Sequence, residues 1–301
     1  MHQTAALIVN GKSRRGREWF AQAEEALKSA GIKLTTSRLL KDPRQISPLV
    51  KQAIREEMPL ICVGGGDGTF SAVAEHFIGS KSILGVLPLG TGNSLARDLG
   101  INATIEEAVE TIIHGEPHEI DLGKVNDQVF VNVATVGLTT RIAEELTDDA
   151  KKKFGRGVYL FAIIKAAIKS RQFTVELQVN GEKHTFRAHQ VVVGSGQYHG
   201  GPFEVTPEAS IESGHLSGYV LKSSGRGTLL RYGFNLWRGK HVDMPEVFPF
   251  EARMLSFVTR PYKRITIDGE IKSRTPAEFK VLPAAIRVMR PKAVETAADD
   301  S

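Results

Sequence analysis

The 301-residue chain is 41% hydrophobic and 24% charged, an ordinary balance for a globular protein of about two domains that buries its own core. Its single cysteine, Cys62, excludes an internal disulfide, and a formal net charge of +5 suits an anionic partner without selecting nucleic acid. Residues 1–10 lack a basic leader, and the most apolar later stretch, residues 158–168, is broken by Lys165 and falls short of the roughly 20 residues that a span needs. A cytoplasmic protein is therefore expected, with any membrane contact peripheral and no nucleic-acid partner; the sequence says nothing of oligomeric state.

The first part of the chain alternates strand and helix patterns. Residues 5–9 predict a buried strand and 18–30 a helix stopped by Gly31. Residues 32–36 are extended and 45–57 helical. Leu60-Ile61-Cys62-Val63 is a short buried strand, followed by a run of glycines and a helix from about residue 69 to 77. Residues 83–87 predict another strand and 93–99 another helix, ended by Gly100. Thr104 and Glu107 form a capping-box pattern that opens a helix stopping at His114-Gly115. Such alternation predicts a parallel sheet with helices on both faces.

After about residue 116 the pattern changes. Asn126-Asp127 and Asn180-Gly181 each sit between strand-like runs, and Asn-Gly is a strong two-residue hairpin signal. Residues 173–179 and 183–189 are its predicted arms. Residues 216–222, 252–260 and 264–268 also read as strands, and 156–170 as one helix. The second part is thus expected to be an antiparallel β domain, with a polar, acidic and disordered end over residues 293–301.

The motif Gly64-Gly65-Gly66-Asp67-Gly68-Thr69 follows a strand and opens a helix. Glycines there let backbone N–H groups approach a polyphosphate, and the helix N-terminus adds partial positive charge. Asp67 can hold Mg²⁺, directly or through water, and Thr69 can bond a phosphate. The run is neither a Walker A loop nor a dinucleotide fingerprint. A second loop, Pro88-Leu89-Gly90-Thr91-Gly92-Asn93, repeats the arrangement on the next strand. Alone it reads as turn glycines before an Asn cap; as a pair, the two loops fit a shared ligand at the carboxyl edge of a parallel sheet. Asn10-Gly11-Lys12-Ser13 ends the first strand at that edge and reads equally well as an exposed turn.

Asp268-Gly269-Glu270 is by local pattern a hairpin turn. Lys151-Lys152-Lys153 and Arg156 precede the apolar residues 158–168, which reads first as a solvated charge run beside a core helix and second as a membrane-docking element.

The two glycine loops together resemble the diacylglycerol kinase-like lipid kinases, especially the bacterial YegS-type branch. The most specific stretch is Leu87 to Gly100, Leu-Pro-Leu-Gly-Thr-Gly-Asn-Ser-Leu-Ala-Arg-Asp-Leu-Gly. Ile120-Asp121-Leu122-Gly123, residues 132–137, 194–201 and 207–216 resemble further family motifs, and Asp268-Gly269-Glu270 is similar to its catalytic Asp-Gly-Glu. The resemblance implies an α/β + β architecture: an N-terminal doubly wound nucleotide-binding domain, like that of phosphofructokinase and NAD kinase, over residues 1–124, and a C-terminal antiparallel β-sandwich domain over 125–282. A strand at about 283–292 would return to the first domain.

It also implies transfer of the γ-phosphoryl group of ATP, with Mg²⁺, to a primary hydroxyl of a membrane lipid such as diacylglycerol or phosphatidylglycerol. By position, Asn10, Gly65, Gly66, Asp67, Gly68, Thr69, Phe70, Ser71, Thr91 and Asn93 would contact ATP, Asp67 would bind the catalytic Mg²⁺, and Glu270 or Asp268 would be the base. Ser210, Ser213 and His215 fall where the family holds a structural Mg²⁺. There its two acidic residues are replaced by Ser213 and Ser217, and its usual Asp after the second-loop Asn is Ser94. The rival readings are an NAD kinase-like small-molecule kinase, which shares the glycine-Asp-glycine-Thr loop, and a catalytically weak lipid- or nucleotide-binding protein.

Overall fold

The computed structural model describes residues 4–13, 15–138, 171–199, 203–223 and 225–292. The predicted helix at 156–170, the basic cluster at Lys151 to Lys153 and Arg156, and the tail at 293–301 lie outside the described residues. The chain divides into two compact units, Met1–Ile120 with Ile286–Ser301, and Asp121–Ala285.

The first unit follows the predicted alternation: β1 (Thr4–Asn10), α1 (Gly16–Ser29), β2 (Lys33–Leu40), α2 (Ile46–Arg55), β3 (Leu60–Gly65), α3 (Asp67–Phe77), β4 (Ile83–Pro88), α4 (Ser94–Asp98) and α5 (Ile105–His114). Strands β2, β1, β3 and β4 pair in parallel in that order. Every residue of β3 and β4 is buried, as expected of strands covered on both faces. Helix α2 buries Ile46, Val50 and Ala53, and α5 buries Ile105, Ala108, Val109 and Ile112, the spacing of an amphipathic face. Burial pushes the Cys62 thiol up to about 12, so it remains a small hydrophobe within β3.

The predicted capping box is half formed. The Glu107 N–H donates to Thr104 Oγ1 at 3.4 Å, but the Glu107 carboxylate accepts from Asn102, both backbone N–H and Nδ2, rather than from Thr104.

The second unit is built on antiparallel pairing. After β5 (Glu116–Val125), its strands are β6 (Gln128–Phe130), β7 (Val133–Gly137), β8 (Phe173–Val179), β9 (Glu182–Gly194), β10 (Tyr198–His199), β11 (Phe203–Glu204) and β12 (Leu216–Lys222). Helix α6 (Arg226–Trp237) follows, then β13 (Val247–Ala252), β14 (Met254–Arg260), β15 (Arg264–Ile267), β16 (Glu270–Arg274) and β17 (Ala277–Arg290). The Asn180-Gly181 turn forms as predicted, with φ of 51° and 82°, between β8 and β9. The strand expected over 252–260 is two strands meeting at Arg253, and α6 was not expected.

Side-chain alternation divides this unit into two apolar layers. Val191 and Val193 of β9 join Ala134, Val136, Phe257 and Phe279 on one face; Val192 joins Tyr219, Leu221 and the α6 residues Leu229, Tyr232 and Leu236 on the other. That is why β9 reads as a continuous valine run rather than as polar–apolar alternation. Strand β17 serves both units: residues 277–280 pair with β14, whereas Arg287 and Val288 pair in parallel with Ile83 and Leu84 of β4.

Candidate functional site

The ends of β1, β3 and β4 carry the three loops singled out in the sequence, at one edge of the parallel sheet. Gly66 is the residue before α3, with extended φ and ψ of −98° and −174°, and no side chain caps it. The N–H groups of Thr69 and Phe70 return to the Gly66 carbonyl at 2.8 and 3.3 Å. The earlier N–H groups of the first turn have no carbonyl within the helix to bond, which makes the turn a donor site for an anion. The helix begins at Asp67, two residues before the predicted start, so Asp67 and Gly68 belong to this first turn.

Glycine is required here by close contacts within the first loop and between the two loops. A Cβ on Gly65 would lie 2.3 Å from Thr69 Oγ1, and one on Gly90 would lie 2.6 Å from Gly66 Cα. The Leu89 N–H donates to the Gly65 carbonyl at 2.8 Å, and the Ser94 N–H donates to Asp67 Oδ1 at 2.7 Å. The two glycine loops therefore form one continuous surface rather than two separate turns. Ser94, standing where the resembling family carries Asp, meets Asp67 through its backbone.

Asn93 has a left-handed φ of 51° and is buried. Its Oδ1 accepts from the Gly90 N–H at 2.8 Å, and its Nδ2 donates to the Gly90 and Pro88 carbonyls at 3.0 and 3.3 Å. Asn93 thus shapes its own loop, while Thr91 is the exposed hydroxyl of that loop. Phe70 is 1% exposed, so its ring is core, whereas the Ser71 hydroxyl is buried without a hydrogen-bond partner among the described residues. Asn10 Oδ1 accepts from the Lys12 N–H at 3.0 Å, and its carbonyl accepts from Ser13 Oγ at 2.9 Å, closing the turn after β1.

In the second unit, Asp268 and Gly269 have φ of 45° and 88°, and Ile267 pairs with Glu270 across a two-residue hairpin. The hairpin turn predicted at Asp268-Gly269-Glu270 therefore forms. The Asp268 carboxylate accepts three backbone N–H groups at 2.9 Å: Val131 on Oδ2, Asn132 and Val133 on Oδ1. The Asp268 N–H in turn donates to the Val133 carbonyl at 2.9 Å. Among the described residues Glu270 is held by Lys272 Nζ, at 2.9 Å, and its side chain is 66% exposed. Two carboxylates two residues apart thus differ in kind: Asp268 is fixed to the start of β7, and Glu270 is accessible.

The loop at residues 210–215 is tied by its own bonds. Ser213 Oγ donates to the Ser210 and His215 carbonyls at 3.0 and 3.2 Å, and Ser210 Oγ accepts from the Glu212 N–H at 3.2 Å. His215 Nδ1 lies 2.9 Å from the Ser213 carbonyl and therefore carries its proton there. Asp121 Oδ2 accepts from the Gly214 N–H at 2.6 Å, and Asp121 Oδ1 from the Ala284 N–H at 2.9 Å. Among the described residues no group of three or more His, Cys, Asp or Glu could hold a metal ion. Neutral hydroxyls and a donating imidazole nitrogen are a poor donor set for a hard divalent cation, which takes oxygen ligands and favours carboxylates.

Sequence reasoning missed a set of buried polar groups on the second unit. Thr266 pairs with Thr135, and Thr135 with Val192, so Thr266, Thr135 and Gln190 share one face of β15, β7 and β9. Gln190 is 1% exposed, and among the described residues neither of its amide atoms has a partner, nor do Thr266 Oγ1 and Asn132 Oδ1. Only the placement of Thr and Gln inside strand patterns hinted at them.

Two family descriptions cover nearly the whole chain. Residues 4–125 match the diacylglycerol kinase catalytic domain, and residues 132–290 match the YegS C-terminal NAD kinase beta sandwich-like domain. A diacylglycerol kinase of Bacillus subtilis (strain 168) is 28% identical over 303 residues, covering 98% of this chain and 99% of its own. A protein of Pseudomonas fluorescens (strain Pf0-1) named "Probable lipid kinase YegS-like" is 29% identical, covering 95% and 98%. Among solved structures, a protein from Bacillus anthracis str. Sterne assigned as a diacylglycerol kinase superposes with a TM-score of 0.84 at 26% identity, over 97% of this chain and 99% of that one.

Proposed function

The chain belongs to the YegS-type diacylglycerol kinase-like family, whose members pair a kinase catalytic domain with a β-sandwich-like domain, and from that premise we propose how its residues perform ATP-dependent lipid phosphorylation. The acceptor we infer is the primary hydroxyl of a diacylglycerol- or phosphatidylglycerol-like lipid. The observation that carries the proposal is the joined glycine loops, in contact at Gly66 and Gly90 and bonded between Asp67 and Ser94.

The N–H groups at the start of α3 donate to the polyphosphate, and the absence of side chains at Gly65, Gly66 and Gly90 keeps the backbone accessible to it. Thr69 and Thr91 offer hydroxyl donors to phosphate oxygens. Asp67 is the carboxylate that would hold Mg²⁺, and the ion would supply charge neutralisation for the transferring group. Asn93 and Asn10 hold their loops in shape rather than bond the nucleotide through their side chains.

Glu270 is the general base. A lipid alcohol is a weak nucleophile, so its proton passes to the Glu270 carboxylate as its oxygen bonds the γ-phosphorus and the bond to the ADP oxygen breaks. Asp268, with three N–H groups on its carboxylate, positions the hairpin that carries Glu270. The loop at residues 210–215 is closed by Asp121 and the serine hydroxyls.

The test is phosphorylation of a total lipid extract with labelled ATP, with the product identified by mass and NAD as a parallel acceptor. A phosphorylated lipid with a primary hydroxyl is expected. Labelled NADP would restore the NAD kinase reading, and binding of ATP and lipid without transfer would favour a binding protein.

A further inference from the structure

Helix α6 divides its apolar residues between two faces. Leu229, Tyr232 and Leu236 are buried in the second unit's core, whereas Leu230, Phe234 and Trp237 are 56%, 53% and 71% exposed. The exposed three recur at i, i+4 and i+7 and therefore form one ridge along the helix. Of the seven large hydrophobic residues exposed among the described residues, three belong to this helix. A lone exposed apolar side chain is unremarkable, but an aligned group of this size marks an interaction surface.

The charge around the ridge says what kind of surface. Residues 225–242 contain Arg226, Arg231, Arg238 and Lys240 and neither Asp nor Glu. Arg231 is paired with Glu246, while the Arg238 guanidinium lies 5.4 Å from the Phe234 ring centroid at the end of the helix and Lys240 is exposed beyond it. The rings of Phe234 and Trp237 are 6.4 Å apart. Leu, Phe and Trp on one side of a helix with Arg238 and Lys240 at its end is the pattern of a helix lying in a bilayer interface, where indole and phenyl rings sit at headgroup depth and cations meet anionic headgroups.

We propose that the outer ridge of α6 — Leu230, Phe234 and Trp237 with Arg238 and Lys240 — docks the protein on the surface of an anionic phospholipid bilayer. Its use rests on the lipid-acceptor reading above, because a lipid kinase must reach a substrate held in a membrane. Its physical basis does not: the ridge and its cations bind vesicles whether or not the vesicle contains an acceptor.

The protein carries its own reporter. Its two tryptophans are Trp19, which is 4% exposed, and Trp237, which is 71% exposed, so a change in emission on adding vesicles reports on Trp237. The full chain is titrated without ATP against acceptor-free vesicles of phosphatidylcholine, or of equal parts phosphatidylcholine and phosphatidylglycerol, with and without brominated acyl chains. With the anionic vesicles, a blue shift and quenching by the brominated lipid are expected, weakening as salt rises. The double variant Leu230→Ser/Phe234→Ser should keep the wild-type melting temperature and bind at least about tenfold more weakly. Arg238→Glu/Lys240→Glu should remove the preference for anionic vesicles.

Unchanged Trp237 emission, or equal binding by wild type and both double variants, overturns the proposal. So does a concentration-dependent dimer in ultracentrifugation that Leu230→Ser/Phe234→Ser dissociates while vesicle binding persists, since the ridge is then a contact between copies. If no lipid is phosphorylated but acceptor-free vesicles still bind through Trp237, the functional reading fails and the docking surface stands.

Discussion

Replacing Asp268 by Asn and Glu270 by Gln should separate stability from chemistry within one hairpin. In Asp268→Asn the amide oxygen can take the place of Oδ1 and keep the Asn132 and Val133 N–H groups. Its NH₂ then meets the Val131 N–H, donor against donor, at a residue only 2% exposed. One charge-assisted bond is lost and a buried donor is orphaned, a cost of about 2–3 kcal/mol. For a domain of this size that corresponds to a fall of roughly 5–10 °C in melting temperature. Glu270→Gln removes only an exposed pair with Lys272, worth about 0.5 kcal/mol, and should melt within about 2 °C of wild type. Its turnover should nevertheless fall by about 10²–10⁴-fold, the usual contribution of a general base. Melting is followed by differential scanning calorimetry, and turnover by ATP-dependent lipid phosphorylation at a temperature well below either transition. Wild-type melting in Asp268→Asn, or undiminished turnover in Glu270→Gln, refutes the division of labour between the two carboxylates.

Gly65→Ala places a methyl 2.3 Å from Thr69 Oγ1 and should cost about 1–3 kcal/mol and weaken ATP binding in calorimetric titration; Gly68→Ala, with open space at its Cβ, should leave stability unharmed. Asp121→Ala frees the Gly214 and Ala284 N–H groups and should destabilise the second unit by about 3 kcal/mol, with faster hydrogen exchange at residues 210–215, whereas a chelator should leave the melting temperature unchanged. His241 is buried against Tyr219 and Tyr232, with Nε2 bonded to the Val205 carbonyl at 3.1 Å and Nδ1 without a partner among the described residues; burial holds its pKa below the usual histidine value, opposed by the Val205 hydrogen bond and then by Asp243. The folded state therefore prefers the neutral ring. Stability should be complete above about pH 6.5 and decline as pH falls below it, so the denaturation midpoint should be lower at pH 5 than at pH 8, by less in His241→Phe.

The parallel unit was legible because each of its signals is local. Buried runs such as 60–63 and 83–87, the glycine stops at Gly31 and Gly100, and the cap at Thr104 all act within a few residues. The Asn180-Gly181 hairpin belongs to the same class. Helix α6 was missed because its apolar residues lie on two faces and Gly227 and Gly233 interrupt it, so no single 3.6-residue stripe stands out. The length of β17 was hidden by Pro283 and by Ala284 at φ 47°, which look like a break while the strand continues. Of the candidate site, the residue types and their loops were readable, but the bonds between them were not. Whether Asn93 faces a ligand or closes its own turn depends on where its side chain points, which residue type alone leaves open.

Asp268 shows why a local reading and a functional one need not compete. The Asp-Gly pair requires positive φ at both positions, and that requirement is met by a tight turn wherever it occurs in a fold. What makes this turn more than a turn is its partners, 135 to 137 residues earlier in the chain, whose three N–H groups anchor the carboxylate. Anchoring one carboxylate fixes the backbone from which the next projects. Because Glu270 follows the turn and pairs with Ile267, rigidity at Asp268 carries into the backbone of Glu270. For the base proposed at Glu270, the backbone of the turn that carries it is held beforehand by three hydrogen bonds, which leaves less to order before a proton is taken. The same logic applies to the glycine loops, where Asp67 bonds Ser94 and Asn93 bonds Gly90. In both units the side chains that look most catalytic in the sequence include ones whose work is to hold a neighbour in place.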